Sequence, residues 1–178
     1  MDLPYQIGRN KKARCRCNGN TDRKGSITLA HTYAACVEKP AQRVYWGLVA
    51  LKNYTAIGAD ASNAFAEAQP PKAPPLHVLV DRPYREWCKA KKGKYAPKGH
   101  VLMVHHAIQG HPEALRLWSM FIDEIIQEKL GFTPTTHERC LYKGVMDGYE
   151  VLFLRQVDYF SVTAENEQIC NKVIEEVS

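Results

Sequence analysis

Two rhythms of apolar and polar positions run through this chain, one of helical period and one of strand period. Pro40 suits the first turn of a helix. Val44, Leu48 and Leu51, flanked by Tyr45, Trp46 and Val49, make a broad stripe that predicts a helix over 40–53. An apolar run at 55–59 follows and closes on Asp60, which predicts a short strand with a carboxylate at its tip. Four prolines within 69–75 force a loop, and 76–80 reads as another strand. Residues 81–100, with Gly93, Pro97 and Gly99, read as an exposed basic excursion, and 101–106 as strand-like.

The clearest helix starts at His111-Pro112-Glu113. Ala114, Leu117, Trp118, Phe121, Ile122, Ile125 and Leu130 line one face, and Gly131 is a natural stop, so 113–130 is predicted helical. Two alternating runs, 140–145 and 149–157, flank Met146-Asp147-Gly148, a strong hairpin signal. A strand at 160–163 and a helix at 165–177, with Ile169, Val173, Ile174 and Val177 inward, complete the pattern. The irregular alternation of strands and helices, with hairpin pairing, makes the class α+β. Residues 40–53, 113–130 and 165–177 are expected to back an antiparallel sheet. No repeat or low-complexity tract interrupts this single domain of 178 residues.

Charge changes the picture more than bulk composition does. The net charge is +5, but residues 1–24 hold seven Lys/Arg against two acids, and 81–100 repeat that balance. Residues 101–178 hold six basic groups against twelve acidic ones. Two basic segments on an otherwise neutral-to-acidic body fit a polyanion partner; the plain alternative is a solvated loop and a frayed basic terminus. Asn18-Gly19-Asn20 and Lys24-Gly25 are turn signals, consistent with a basic hairpin. No apolar run approaches the roughly 20 residues that span a bilayer, and the first residues lack a signal-peptide core. A soluble intracellular chain with no membrane partner is therefore expected. The six cysteines are irregularly spaced and do not read as a secreted disulfide framework.

The candidate chemistry lies at two strand ends. Asp60 is followed by Ala61-Ser62-Asn63-Ala64-Phe65, and Asp158 sits in Gln156-Val157-Asp158-Tyr159. A carboxylate at the tip of a buried strand is costly unless partnered, and a divalent cation is one good partner. Other constellations are weaker. Cys15-x-Cys17 has no second pair at finger spacing, and His105, His106 and His111 read as strand-end and loop residues. Ser62 and Ser119 have no evident base. Two further stretches carry basic, glycine and aromatic residues in patterns of note: Lys12-Ala13-Arg14, and Gln109-Gly110-His111-Pro112-Glu113-Ala114-Leu115-Arg116-Leu117-Trp118.

Taken together, these four stretches and the order of elements resemble the fingers and palm of a reverse transcriptase. More narrowly, they resemble that segment of copia-type LTR retrotransposon polyproteins, from about residue 11 to residue 178. The resemblance implies a palm-like antiparallel sheet backed by helices, with partial fingers over 1–38 and mostly palm over 39–178, and with thumb and ribonuclease H regions absent. It implies RNA-directed DNA polymerase activity: nucleotidyl transfer onto a primer by two magnesium ions, with RNA/DNA primer-template and deoxynucleoside triphosphates as partners. Asp60, the Ala61 carbonyl and Asp158 would hold metal. Lys12 and Arg14 would meet phosphate, Phe65 would sit under the nucleotide sugar, and Gln109 and Gly110 would border the nucleotide pocket. The sequence departs from the family pattern at Gln109, His111 and Leu115. It departs most sharply at Tyr159, which stands where the family's Val-Asp-Asp has its second acid. A severely impaired polymerase is expected. The alternatives are a non-catalytic palm remnant that binds nucleic acid through 9–24 and 82–98, and a relic with no selected role.

Overall fold

Helix α1, Lys39–Lys52, starts with Pro40 in its first turn and ends on Asn53 in the left-handed conformation. The chain turns there directly into strand β1, Thr55–Asp60, and a short helix α2, Ala64–Glu67. A two-stranded ribbon, β2 at His77–Leu79 and β3 at Val101–Met103, brackets helix α3, Arg82–Lys92. Helix α4, Ala114–Glu124, runs into a π-helical turn at Ile125–Lys129. Strands β4 (Thr133–Pro134), β5 (Leu141–Met146), β6 (Tyr149–Gln156) and β7 (Tyr159–Ala164) follow, and helix α5, Glu167–Val177, is the last element. This computed structural model describes residues 32–68 and 77–177.

The main sheet has the order β1-β7-β6-β5-β4, antiparallel throughout. The fold is therefore α+β with an antiparallel sheet. Alternation along each strand divides the buried residues into two cores. Val151, Phe153, Phe160, Val162 and Ala164 meet Trp118 and Ile122 of α4 and Ile169 and Val173 of α5. Leu141, Leu152 and Leu154 point the other way and meet Tyr45 and Val49 of α1. The helices thus cover both faces: α4 and α5 pack on one side and α1 on the other.

Residues 81–100 are mostly exposed, as expected, but Arg82–Lys92 of them form a helix. Asp81 caps α3 by accepting a hydrogen bond from the Tyr84 amide at 2.9 Å, and Gly93 closes it at φ 69. The inward stripe of α1 is Tyr45 and Val49, with Ala41 and Leu48 partly buried, whereas Val44 and Leu51 are exposed. The strand expected over 101–106 ends at Met103, so His105 and His106 lie beyond it; the His106 ring meets the Ala68 carbonyl at 3.2 Å. The π-turn shifts the register of α4, which makes Ile126 the fully buried residue at its end, while Ile125 is only partly so. The Asp147-Gly148 hairpin is as expected, with positive φ at both residues.

One buried hydrogen bond ties α1 to the sheet. The Tyr45 hydroxyl donates at 3.0 Å to the Ser161 carbonyl and lies 2.9 Å from Ser161 Oγ, and burial pushes this phenol up to about 12. Tyr45→Phe should leave those buried acceptors short of a donor, at a cost of about 1–2 kcal/mol. Urea unfolding of the two proteins at neutral pH measures it directly.

Candidate active site

Antiparallel register carries residues from opposite ends of the described chain to one place. β1 pairs with β7 so that Asp60 stands opposite Tyr159, and β6 pairs with β7 so that Gln156 also stands opposite Tyr159. Asp60, Tyr159 and Gln156 therefore form one cross-strand row at the tip of the sheet, on the face that α1 covers lower down. Gln42 of α1 reaches this row, donating to Gln156 Oε1 at 3.2 Å. Asp158 occupies the two-residue turn between β6 and β7. Its carbonyl accepts from the Ala61 amide at 2.8 Å, one residue beyond Asp60. The two aspartates are thus neighbours in space, and both side chains are exposed.

The strand adjacent to β1 is the one after Asp158. β7 lies between β1 and the apolar run that leads into the turn, so the two aspartate strands are not themselves paired. The turn, not strand pairing, brings the two aspartates together.

Two details shape the site. Val157, the first residue of the turn, has φ 59, a conformation that glycine adopts freely and a β-branched residue adopts at a cost. The Trp118 indole donates to the Val157 carbonyl at 2.7 Å, joining α4 to the turn. The Tyr159 ring lies across Gly58, on the face that carries Asp60; a methyl group at Gly58 would run into the phenol oxygen. An aromatic ring over a glycine of the next strand covers backbone that would otherwise face water.

The remaining predicted residues separate into three groups. Phe65 lies in α2 and is partly buried against the core. Gln109 and Gly110 are exposed in the loop before α4, where Gly110 has φ 87. Lys12 and Arg14 lie outside the described residues, as does the Cys15–Cys17 pair. A cleft of about 420 Å³ opens beside the site, lined by Asp60, Ser62 and Glu67 and by apolar groups that include Trp118, Phe121 and Ile174. Nothing in the sequence pointed to it, because its walls are drawn from β1, α4 and α5 at once.

Two exposed carboxylates and a nearby main-chain segment suit one hard cation whose other ligands come from water and a phosphate. Among the described residues, no group of three or more His, Cys, Asp or Glu is placed to hold a metal. Asp60 and Asp158 supply two carboxylates at this place. No helix among these residues is long and apolar enough to cross a membrane. Comparison with known protein families, with curated proteins and with solved structures finds no match.

Tyr159 is 47% exposed, so solvent is open to its ring. Gly58→Ala should swing it into solvent at a stability cost of no more than about 1 kcal/mol, the scale of a shifted rotamer. Loss of nuclear Overhauser contacts between the Tyr159 ring and residue 58, with the sheet otherwise unchanged, is the expected signature.

Proposed function

We propose that this chain is the palm, with part of the fingers, of a copia-type reverse transcriptase, and that its nucleotidyl transfer is severely impaired. The observation that carries the reading is the Ala61–Asp158 hydrogen bond, which sets the two motif aspartates side by side. Asp60 and Asp158 would hold magnesium, together with the Ala61 carbonyl. The magnesium held there would supply charge neutralisation for the triphosphate and would favour ionisation of the primer 3′-hydroxyl. The chain's own contribution is positioning. The sheet register fixes Asp60, the turn fixes Asp158, and Phe65, Gln109 and Gly110 would border the incoming deoxynucleotide. Tyr159 brings a neutral phenol where a carboxylate would complete the centre. The site loses a negative charge and a hard oxygen ligand, and bulk is added on the Asp60 face.

Tyr159→Asp should therefore raise magnesium-dependent primer extension on an RNA template by at least about tenfold, equivalent to about 1.4 kcal/mol of barrier. Asp60→Asn in the same background should abolish the gain. Equal rates for the chain and its Tyr159→Asp variant would count against the reading.

A second reading, a binding module, is favoured by α3. Residues 82–98 carry seven Lys/Arg against Glu86 alone. Lys91, Lys92, Lys94 and Lys98 are exposed and make no ion pair among the described residues. Trp87, 49% exposed, lies beside Tyr84 with ring centroids 5.6 Å apart, giving aromatic surface among the cations. Such a surface can hold a single strand by phosphate neutralisation and base stacking. Changing Lys91, Lys92 and Lys94 together to Gln should lower the slope of log affinity against log salt for a single-stranded oligonucleotide by about 2. Fluorescence anisotropy over a salt series reads it.

A further inference from the structure

We propose that Trp118 is a positioning residue that holds the Val157–Asp158 turn in its strained form and so keeps Asp158 beside Asp60. Three observations meet at this point. Val157 is a β-branched residue with positive φ at the first position of a two-residue turn, where a II′ geometry ordinarily takes glycine. Its carbonyl accepts the Trp118 indole N–H at 2.7 Å. On the other side of the same turn, the Asp158 carbonyl accepts the Ala61 amide at 2.8 Å.

The turn is therefore gripped on two consecutive carbonyls, one from α4 and one from the end of β1. A relaxed turn, with negative φ at Val157, would redirect the first of these carbonyls away from the indole and displace the second from Ala61. Without the indole donor, the strain at Val157 favours that relaxation. The indole is well placed to resist it, because Trp118 is itself 3% exposed. Its ring stacks on Phe160 of β7 at 6.4 Å and lies 6.0 Å from Phe121. The donor is anchored to the strand that leaves the turn. The sequence pattern makes Trp118 an ordinary inward residue of an amphipathic helix; the structure gives its nitrogen a separate task.

The test separates the nitrogen from the ring. Trp118→Phe keeps an aromatic side chain and removes the donor. Val157→Gly removes the strain that makes the donor necessary. Amide hydrogen exchange followed by NMR reads the Ala61–Asp158 bond directly, in the full chain and without metal. In Trp118→Phe, protection at Ala61 should fall by about tenfold or more while amides in the middle of β6 and β7 keep theirs. Adding Val157→Gly should restore Ala61.

A second readout extends the result to the ion and rests on the polymerase reading. In a Tyr159→Asp background, Mn²⁺ affinity measured by electron paramagnetic resonance should weaken by about tenfold with Trp118→Phe, and recover with Val157→Gly. Unchanged protection at Ala61 in Trp118→Phe would overturn the proposal. So would a loss spread evenly over the sheet that Val157→Gly does not repair, because Trp118 would then act only through packing. Absence of Mn²⁺ binding by Tyr159→Asp itself would instead overturn the metal reading, with the exchange result still deciding the role of Trp118.

Discussion

The pairing of β1 with β7 is the constraint on which the rest of the structure depends. It joins segments about a hundred positions apart, and closing so long a loop costs entropy that only a firm register can repay. Register is firm here because a slip of one residue would exchange the two faces of β1. Ile57 would leave the core of α4 and α5, and Asp60 would enter it. The neighbouring strand is pinned independently. Tyr45 holds Ser161 from one face, and Phe160 and Val162 are buried on the other. Everything that places Asp60 beside the Val157–Asp158 turn follows from these contacts.

A buried polar group supports the same framework from further away. Arg155, in β6 just before the turn, is 1% exposed. Its guanidinium meets Asp123 at 3.2 Å and Ser119 at 3.1 Å, both on α4. Tyr142 donates to the same Asp123, and burial, chiefly, pushes its phenol above the ordinary value. A buried charge paired in this way is poor evidence for stability but strong evidence for geometry, since leaving either partner alone is expensive. Helix α4 is thus locked to β6 by charge and to the turn by the Trp118 indole. The two contacts span 118–123 on the helix and 155–157 on the sheet.

Much of this was legible in the sequence, for local reasons. The Asp147-Gly148 hairpin, the strand ending at Asp60 and the apolar face of α4 each depend on signals a few residues long. Helix α3 was hidden because its short apolar period, Tyr84, Trp87 and Cys88, is set among many charges; Cys88 is its one buried side chain, and its capping by Asp81 and Gly93 was a further signal. On α1, six apolar residues in a short stretch allowed more than one inward stripe, and only the partner strands decide that Tyr45 and Val49 face in. Strand β4 is two residues long and contains Pro134, so it carries no strand pattern of its own. At the site, the motif aspartates were readable. The ring of Tyr159 over Gly58 and the strained Val157 were not, because both depend on cross-strand register.

Among the described residues β1 is an edge strand that pairs only with β7. Such an edge is a template for another strand, and a charged side chain is one of the features that keep it from recruiting one. Asp60 is the only charged residue in Thr55-Ala56-Ile57-Gly58-Ala59-Asp60. Neutralising it strips an edge strand of its single charge. Association of such a variant with itself would then report on that edge of the sheet.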